Sequence, residues 1–205
     1  LGENVNHYSI GNNGYKGDKA FSGEIDGQGH ALTVNFTGSP LVNLLTGTVK
    51  NLTIKGKSAA GAAFVRYLLY NGRIEDCVNY ASVSGMVNNA QSDNGSAGAF
   101  AAAACVGPKL LYRTTGIVNC VNHGDVQTTG CNAGGILGFV VNGFQGNFRT
   151  DKFNAGIEVT GCKNYGAVTA NARQAKAGGI IGNCAMADVE GVTLVDCTNH
   201  GAVSA

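Results

Sequence analysis

The chain has 205 residues, 32 of them glycine, with only 13% charged and a formal net charge of +1. Ordinary domains carry about 25% charged residues and about 7% glycine, so tight turns outweigh helical surface, while 44% hydrophobic residues give enough apolar area to fold. The absence of a Lys/Arg block argues against nucleic acid as a partner, and no apolar run reaches the roughly 18 residues of a membrane span.

The length suits one domain, 1–205, with an N-terminal cap and first coil over 1–47 and repeat coils over 48–205. The chain starts at Leu1 without methionine, which leads us to expect a leader removed by export or trimming. FSGEIDGQGHALTV, residues 21–34, holds a glycine turn between two strands. Asp26 and His30 there invite a catalytic reading, but a turn in which Asp26 caps backbone amides accounts for both.

From residue 48 the chain repeats. TVKNLTIKG (48–56) is a first copy with Leu52 where later copies carry cysteine. CVNYASV (77–83), CVNHGDV (120–126), CKNYGAV (162–168) and CTNHGAV (197–203) share the frame CxN(Y/H)(G/A)xV. A glycine-rich unit follows each of the first three frames: SAGAFA (96–101), NAGGILG (132–138) and KAGGIIG (176–182), with AAGAAF (59–64) upstream. The spacing is uneven, shortest from Leu52 to Cys77 and lengthened elsewhere by insertions that gather after the glycine-rich strand. Short runs rich in Val, Ile and Thr, bounded by Gly and Asn, read as strands, three per repeat. Strands that bury their inner face only when the next repeat covers them make an all-β, right-handed parallel β-helix of about five coils, with loop insertions along one edge.

Side-chain parity assigns the frame. Ile74, Ile117, Val159 and Leu194 each precede a cysteine by three residues, an odd step between two inward positions, so one residue must bulge. Asp76, Asn119, Gly161 and Asp196 suit that place because they tolerate left-handed backbone. Cys77, Cys120, Cys162 and Cys197 then form an inward column. Asn79, Asn122, Asn164 and Asn199 form a second column at the corner, each amide bonding the next coil. The following residue points outward and is Tyr80, His123, Tyr165 or His200. Tyrosine cannot replace imidazole as a ligand or base, so the Cys-x-x-His units at 120–123 and 197–200 read as packing, with no metal site, cofactor or catalytic residue assigned. Direct disulfides between in-register cysteines would strain the strands, whereas a pair among Cys105, Cys131 and Cys184 could bridge loops.

The segment 21–34 resembles one that opens many secreted β-helices, and GGILG and GGIIG resemble the GLUG motif of adhesin-like bacterial surface proteins, including those of gut Bacteroidetes. The resemblance covers residues 21–205 and implies a secreted or cell-surface protein that serves as an adhesive, accessory or stalk module. No carboxylate pair, calcium loop or phosphate loop is evident in the pattern. The ligand-binding candidates are therefore loop residues: Tyr112 and Arg113, and Phe144, Phe148, Arg149, Asp151 and Lys152 in the longest insertion. The competing reading has those phenylalanines pack over the outer sheet. The expected function is non-catalytic adhesion or binding of a glycan or a host or matrix protein. The alternatives are a polysaccharide lyase or glycoside hydrolase on the same scaffold, or a structural stalk segment. Ala205 falls before a fourth glycine-rich unit, so self-association or further repeats are expected at that end.

Overall fold

The computed structural model describes residues 20–85, 95–106, 114–142, 156–185 and 192–205. Among these residues the protein is all-β, and every strand pairing is parallel. The chain visits four sheets in a fixed order, and each strand pairs with its counterpart one repeat later. A flank sheet contains Glu24–Asp26, Thr48–Lys50, Arg73–Glu75, Thr115–Val118, Ile157–Thr160 and Val192–Val195. The chain then enters a broad sheet, through Ala31–Phe36 and Thr53–Ser58 and later through paired short strands. These pairs are Val78–Asn79 with Ser82–Ser84, Val121–Asn122 with Val126–Thr128, Lys163–Asn164 with Val168–Ala170, and Thr198–Asn199 with Val203–Ser204.

The glycine-rich units build the other two sheets. Ala97–Gly98, Asn132–Gly134 and Lys176–Gly178 form a small one. Val42–Leu45, Val65–Leu68, Ala101–Val106, Leu137–Asn142 and Ile181–Ala185 form an apolar one. Val65 and Ala101 are in register, and Gly98 N–H donates to Gly61 O, so the GAAF unit carries one residue more than the GAFA unit and absorbs it before Phe64. Both faces of the apolar sheet are buried: Val65, Ala101 and Leu137 line the main core, while Leu44, Tyr67, Ala103 and Cys105 form a second cluster with Phe139. Parallel strands covered on both sides read as continuous apolar runs, as AAAACV does. Segments 107–113, 143–155 and 186–191 each follow a strand of this sheet, whereas 86–94 follows Ser82–Ser84 in the broad one.

The turn from flank to broad sheet depends on one left-handed residue per repeat. Asn51, Asp76, Asn119, Gly161 and Asp196 have φ of 52, 51, 53, 64 and 51°. That conformation absorbs the odd step, so Ile74 and Cys77 are both fully buried, as are Ile117 with Cys120 and Val159 with Cys162. Burying each such aliphatic side chain contributes roughly 1.5–3 kcal/mol. Phe64, Phe100 and Ile136 continue the core beneath the glycine-rich units, the two rings 4.9 Å apart. Leu194 and Val203 are exposed, although their partners Val159 and Val168 are buried.

Candidate functional site

The proposed ligand residues Tyr112, Arg113, Phe144, Phe148, Arg149, Asp151 and Lys152 lie outside the described residues. The feature that the structure does assemble is on the broad sheet and starts from the corner asparagines. Asn79 Nδ2 donates to Asn122 Oδ1 at 2.8 Å, Asn122 to Asn164 at 2.7 Å and Asn164 to Asn199 at 2.7 Å. Each amide also donates to the carbonyl two residues on: Ala81, Gly124, Gly166 and Gly201. Asn79 and Asn122 accept from the N–H at that same position, which closes the turn. Asn79, Asn122 and Asn164 are 0% exposed, so a side chain with two donors and one acceptor oxygen is fully matched.

Because the ladder holds every corner in one geometry, the next side chain is presented outward at the same place in each repeat. Tyr80 and His123 stack with centroids 4.7 Å apart, His123 and Tyr165 at 5.1 Å, and Tyr165 and His200 at 4.9 Å, all within 9° of parallel. Lys55, one residue past Ile54, which pairs with Asn79, places Nζ 6.0 Å from the Tyr80 centroid and caps the column. Tyr80 and Tyr165 are 51% and 45% exposed. Tyr165 lies between two rings and Tyr80 between His123 and Lys55, so the column offers edges: phenol hydroxyls and imidazole nitrogens.

A cleft of about 380 Å³ lies beside this column. Asn35, Lys57 and Ser82 are in register along its wall, and Asp125 continues the line because Val83 pairs with Val126. Thr37, Ser84 and Gln127 complete the polar lining. Asp125 Oδ1 accepts the Ala167 N–H at 2.9 Å, which fixes the carboxylate at one end, while Lys57 is exposed and makes no salt bridge among the described residues.

The cysteines sit on the inner side. Cys77, Cys120 and Cys162 are buried, and each thiol, with that of Cys197, reaches the carbonyl two residues back and one on the preceding repeat. No disulfide joins any of the seven cysteines, so none bridges Cys105, Cys131 or Cys184. Burial pushes the Cys120 thiol well up, hydrogen bonding with Cys120 lowers its neighbour Cys162, and burial also raises Cys184 and Cys197. A thiol raised by folding stabilises the fold below its unfolded value, and that contribution is lost as pH rises toward the folded one. With three thiols raised and Cys162 lowered, which acts in the opposite sense, stability should fall above about pH 8.5 as the unfolded chain ionises. Iodoacetamide at pH 8 should label exposed Cys184 first and Cys120 only after unfolding, a sequence that peptide mass mapping reads directly.

A second polar cluster spans the flank sheet. Lys50 pairs with Glu24 at 2.9 Å and Asp26 at 3.7 Å, and Arg73 pairs with Glu75, with Glu158 at 3.3 Å and with Thr114 O at 2.9 Å. Arg73 reaches Glu158 across Gly116, which stands in register between them. The Gln28 N–H and the Asn51 amide, with Lys50, hold Asp26 below the usual carboxylate range, and Glu24 raises Lys50. Asp26 thus caps the glycine turn, where the His30 N–H donates to Gly27 O. These acids come from different repeats, and no local motif announces them. Among the described residues no group of three or more His, Cys, Asp or Glu is placed to hold a metal ion. Among the described residues no helix is long and apolar enough to cross a membrane. Compared with family models, curated proteins and solved structures, the chain matches none.

Proposed function

We propose that the chain is an exported, non-catalytic binding module, built as a right-handed parallel β-helix of about five coils, that holds a glycan or a host or matrix protein at the bacterial surface. Repeat-to-repeat parallel pairing through four sheets supports the helix. Export and surface display rest on the resemblance of residues 21–34 and the GG units to secreted proteins. The observation that carries binding is the exposed, aligned ring column of Tyr80, His123, Tyr165 and His200 beside a polar cleft. A stalk needs the inner ladders but has no use for solvent-facing phenol and imidazole edges in line.

The flank-sheet row favours the enzyme alternative, because acids and cations on one sheet are what glycan cleavage uses. Its acids are committed to Lys50 and Arg73, and Asp26 is held ionised, the opposite of what a proton donor needs. A screen of immobilised glycans and matrix proteins, with the bound glycans assayed for new reducing ends and unsaturated products, tests both readings. The native chain should retain a ligand and release no product, and Tyr80→Ser/Tyr165→Ser should weaken retention roughly tenfold, the loss of two ring-edge contacts. Retention of nothing would leave the stalk reading, and product release would establish the enzyme.

A further inference from the structure

The charges of the two exposed sheets are segregated. Strands of the flank sheet carry Glu24, Asp26, Glu75 and Glu158 with Lys50 and Arg73, and both cations are spent on ion pairs. Strands of the broad sheet carry Lys55, Lys57 and Lys163 and no Asp or Glu, and these lysines are exposed and make no salt bridge among the described residues. Lys55 and Lys57 stand on one strand at the start of the ring column. Lys163 lies in register with Val121, Val78 and Thr53, three strand spacings away, or roughly 14 Å at about 4.8 Å per strand. Lys57 lines the cleft, Lys55 stands over Tyr80 at the start of the rings, and Lys163 lies two residues before Tyr165 of the same column.

We propose that this face binds an acidic polysaccharide lying along the repeat axis, its carboxylates on Lys55, Lys57 and Lys163 and its hydroxyls on Ser82, Asp125, Gln127 and the ring edges. The inference rests on the binding reading above and names the ligand class. Lys55 and Lys57 on one strand and Lys163 three strands on give a linear polyanion charge at two places along the repeat axis, while Ser82, Gln127 and Asp125 on the intervening repeats suit sugar hydroxyls. Single-stranded nucleic acid shares the charge but needs open ring faces for its bases, and here every internal ring face is covered by another ring.

The test is calorimetric titration with sodium polygalacturonate, its fully methyl-esterified form and oligothymidylate, at two salt concentrations. Polygalacturonate should bind and weaken with salt, and the ester should bind at least tenfold more weakly. Lys55→Gln/Lys57→Gln should lose roughly tenfold and Lys163→Gln less, with Lys176→Gln on the small sheet unchanged. Equal affinity for acid and ester, or a double lysine variant that binds like the native chain, overturns the inference while leaving glycan binding intact. Oligothymidylate bound as tightly as polygalacturonate also overturns it. If neither these polymers nor any ligand in the wider screen is retained, the binding reading itself fails.

Discussion

Asn122→Ala should lower stability by about 4–5 kcal/mol and Tm by roughly 10–15 °C, read by urea titration and calorimetry. The truncation removes no large apolar surface. Its cost comes from four groups left without their partner: Asn79 Nδ2, Asn164 Oδ1 and the Gly124 N–H and carbonyl. Each buried group left unmatched costs about 1–3 kcal/mol, and partial relaxation places the sum near the lower end of that range. Asn199→Ala is the control, since Asn199 bonds the same kind of partners but is exposed at the last repeat, where water replaces them; it should cost under about 1 kcal/mol. Asn122→Asp distinguishes hydrogen bonding from shape. It keeps the acceptors, loses both donors and faces Asn164 Oδ1 with a charge. Burial should raise that carboxyl above its unfolded value of about 3.9, so the variant is most stable in acid and weakens as pH rises through the folded value. An Asn122→Ala variant within about 1 kcal/mol of the native chain would show that the ladder follows the fold without holding it.

The inner half of each repeat is legible because four imperfect copies can be compared. The odd step from Ile117 to Cys120 demands an extra residue, and the restricted set Asp, Asn, Gly at positions 76, 119, 161 and 196 marks the left-handed conformation found there. The alternation of Tyr and His at one place likewise removes the Cys-x-x-His reading, and the parallel rings are its structural counterpart. The asparagine column within the shared frame is read from the four copies and found bonded from repeat to repeat. Features joined across repeats outside that frame are not legible, since insertions of unequal length hide the register there. Arg73 and Glu158 meet across 85 residues, and nothing near either one points to the other. The equivalence of Leu52 and Cys77 is read from the sequence and holds, which puts Lys55 over Tyr80, but Asn35, Lys57, Ser82 and Asp125 form one line only after the strands of four repeats are aligned. Aromatic and charged residues in long insertions attracted the binding assignment, whereas the polar face that the described residues build consists of single residues scattered through unremarkable strands. That follows from repeat-to-repeat pairing: the surface is written at the repeat period, and local motifs report mainly the core.

Gly134→Ala should cost about 3–4 kcal/mol, although it adds one methyl group. A Cβ there would lie 2.0 Å from Leu137 O and 2.6 Å from Gly182 N, both backbone atoms. Gly98 and Gly178, in register on either side, face the same collision with Ala101 O at 2.2 Å and Ile181 O at 1.9 Å. No rotamer change can relieve contacts of that kind, so the chain must shift where the small sheet passes into the apolar one, and Leu137 is paired to Ala101 and Ile181 on both sides. The strain is therefore shared with the neighbouring repeats instead of staying local. Gly38→Ala, with nothing within 4 Å of the new Cβ, should change stability by less than about 0.5 kcal/mol in the same urea titration. The comparison separates two explanations for the glycine in the AGG units. If close backbone approach requires it, Gly134→Ala is costly and Gly38→Ala is not. If it serves only to loosen the chain, both substitutions should stabilise slightly by restricting the unfolded state, and the close-packed account of the glycine-rich strands would be wrong.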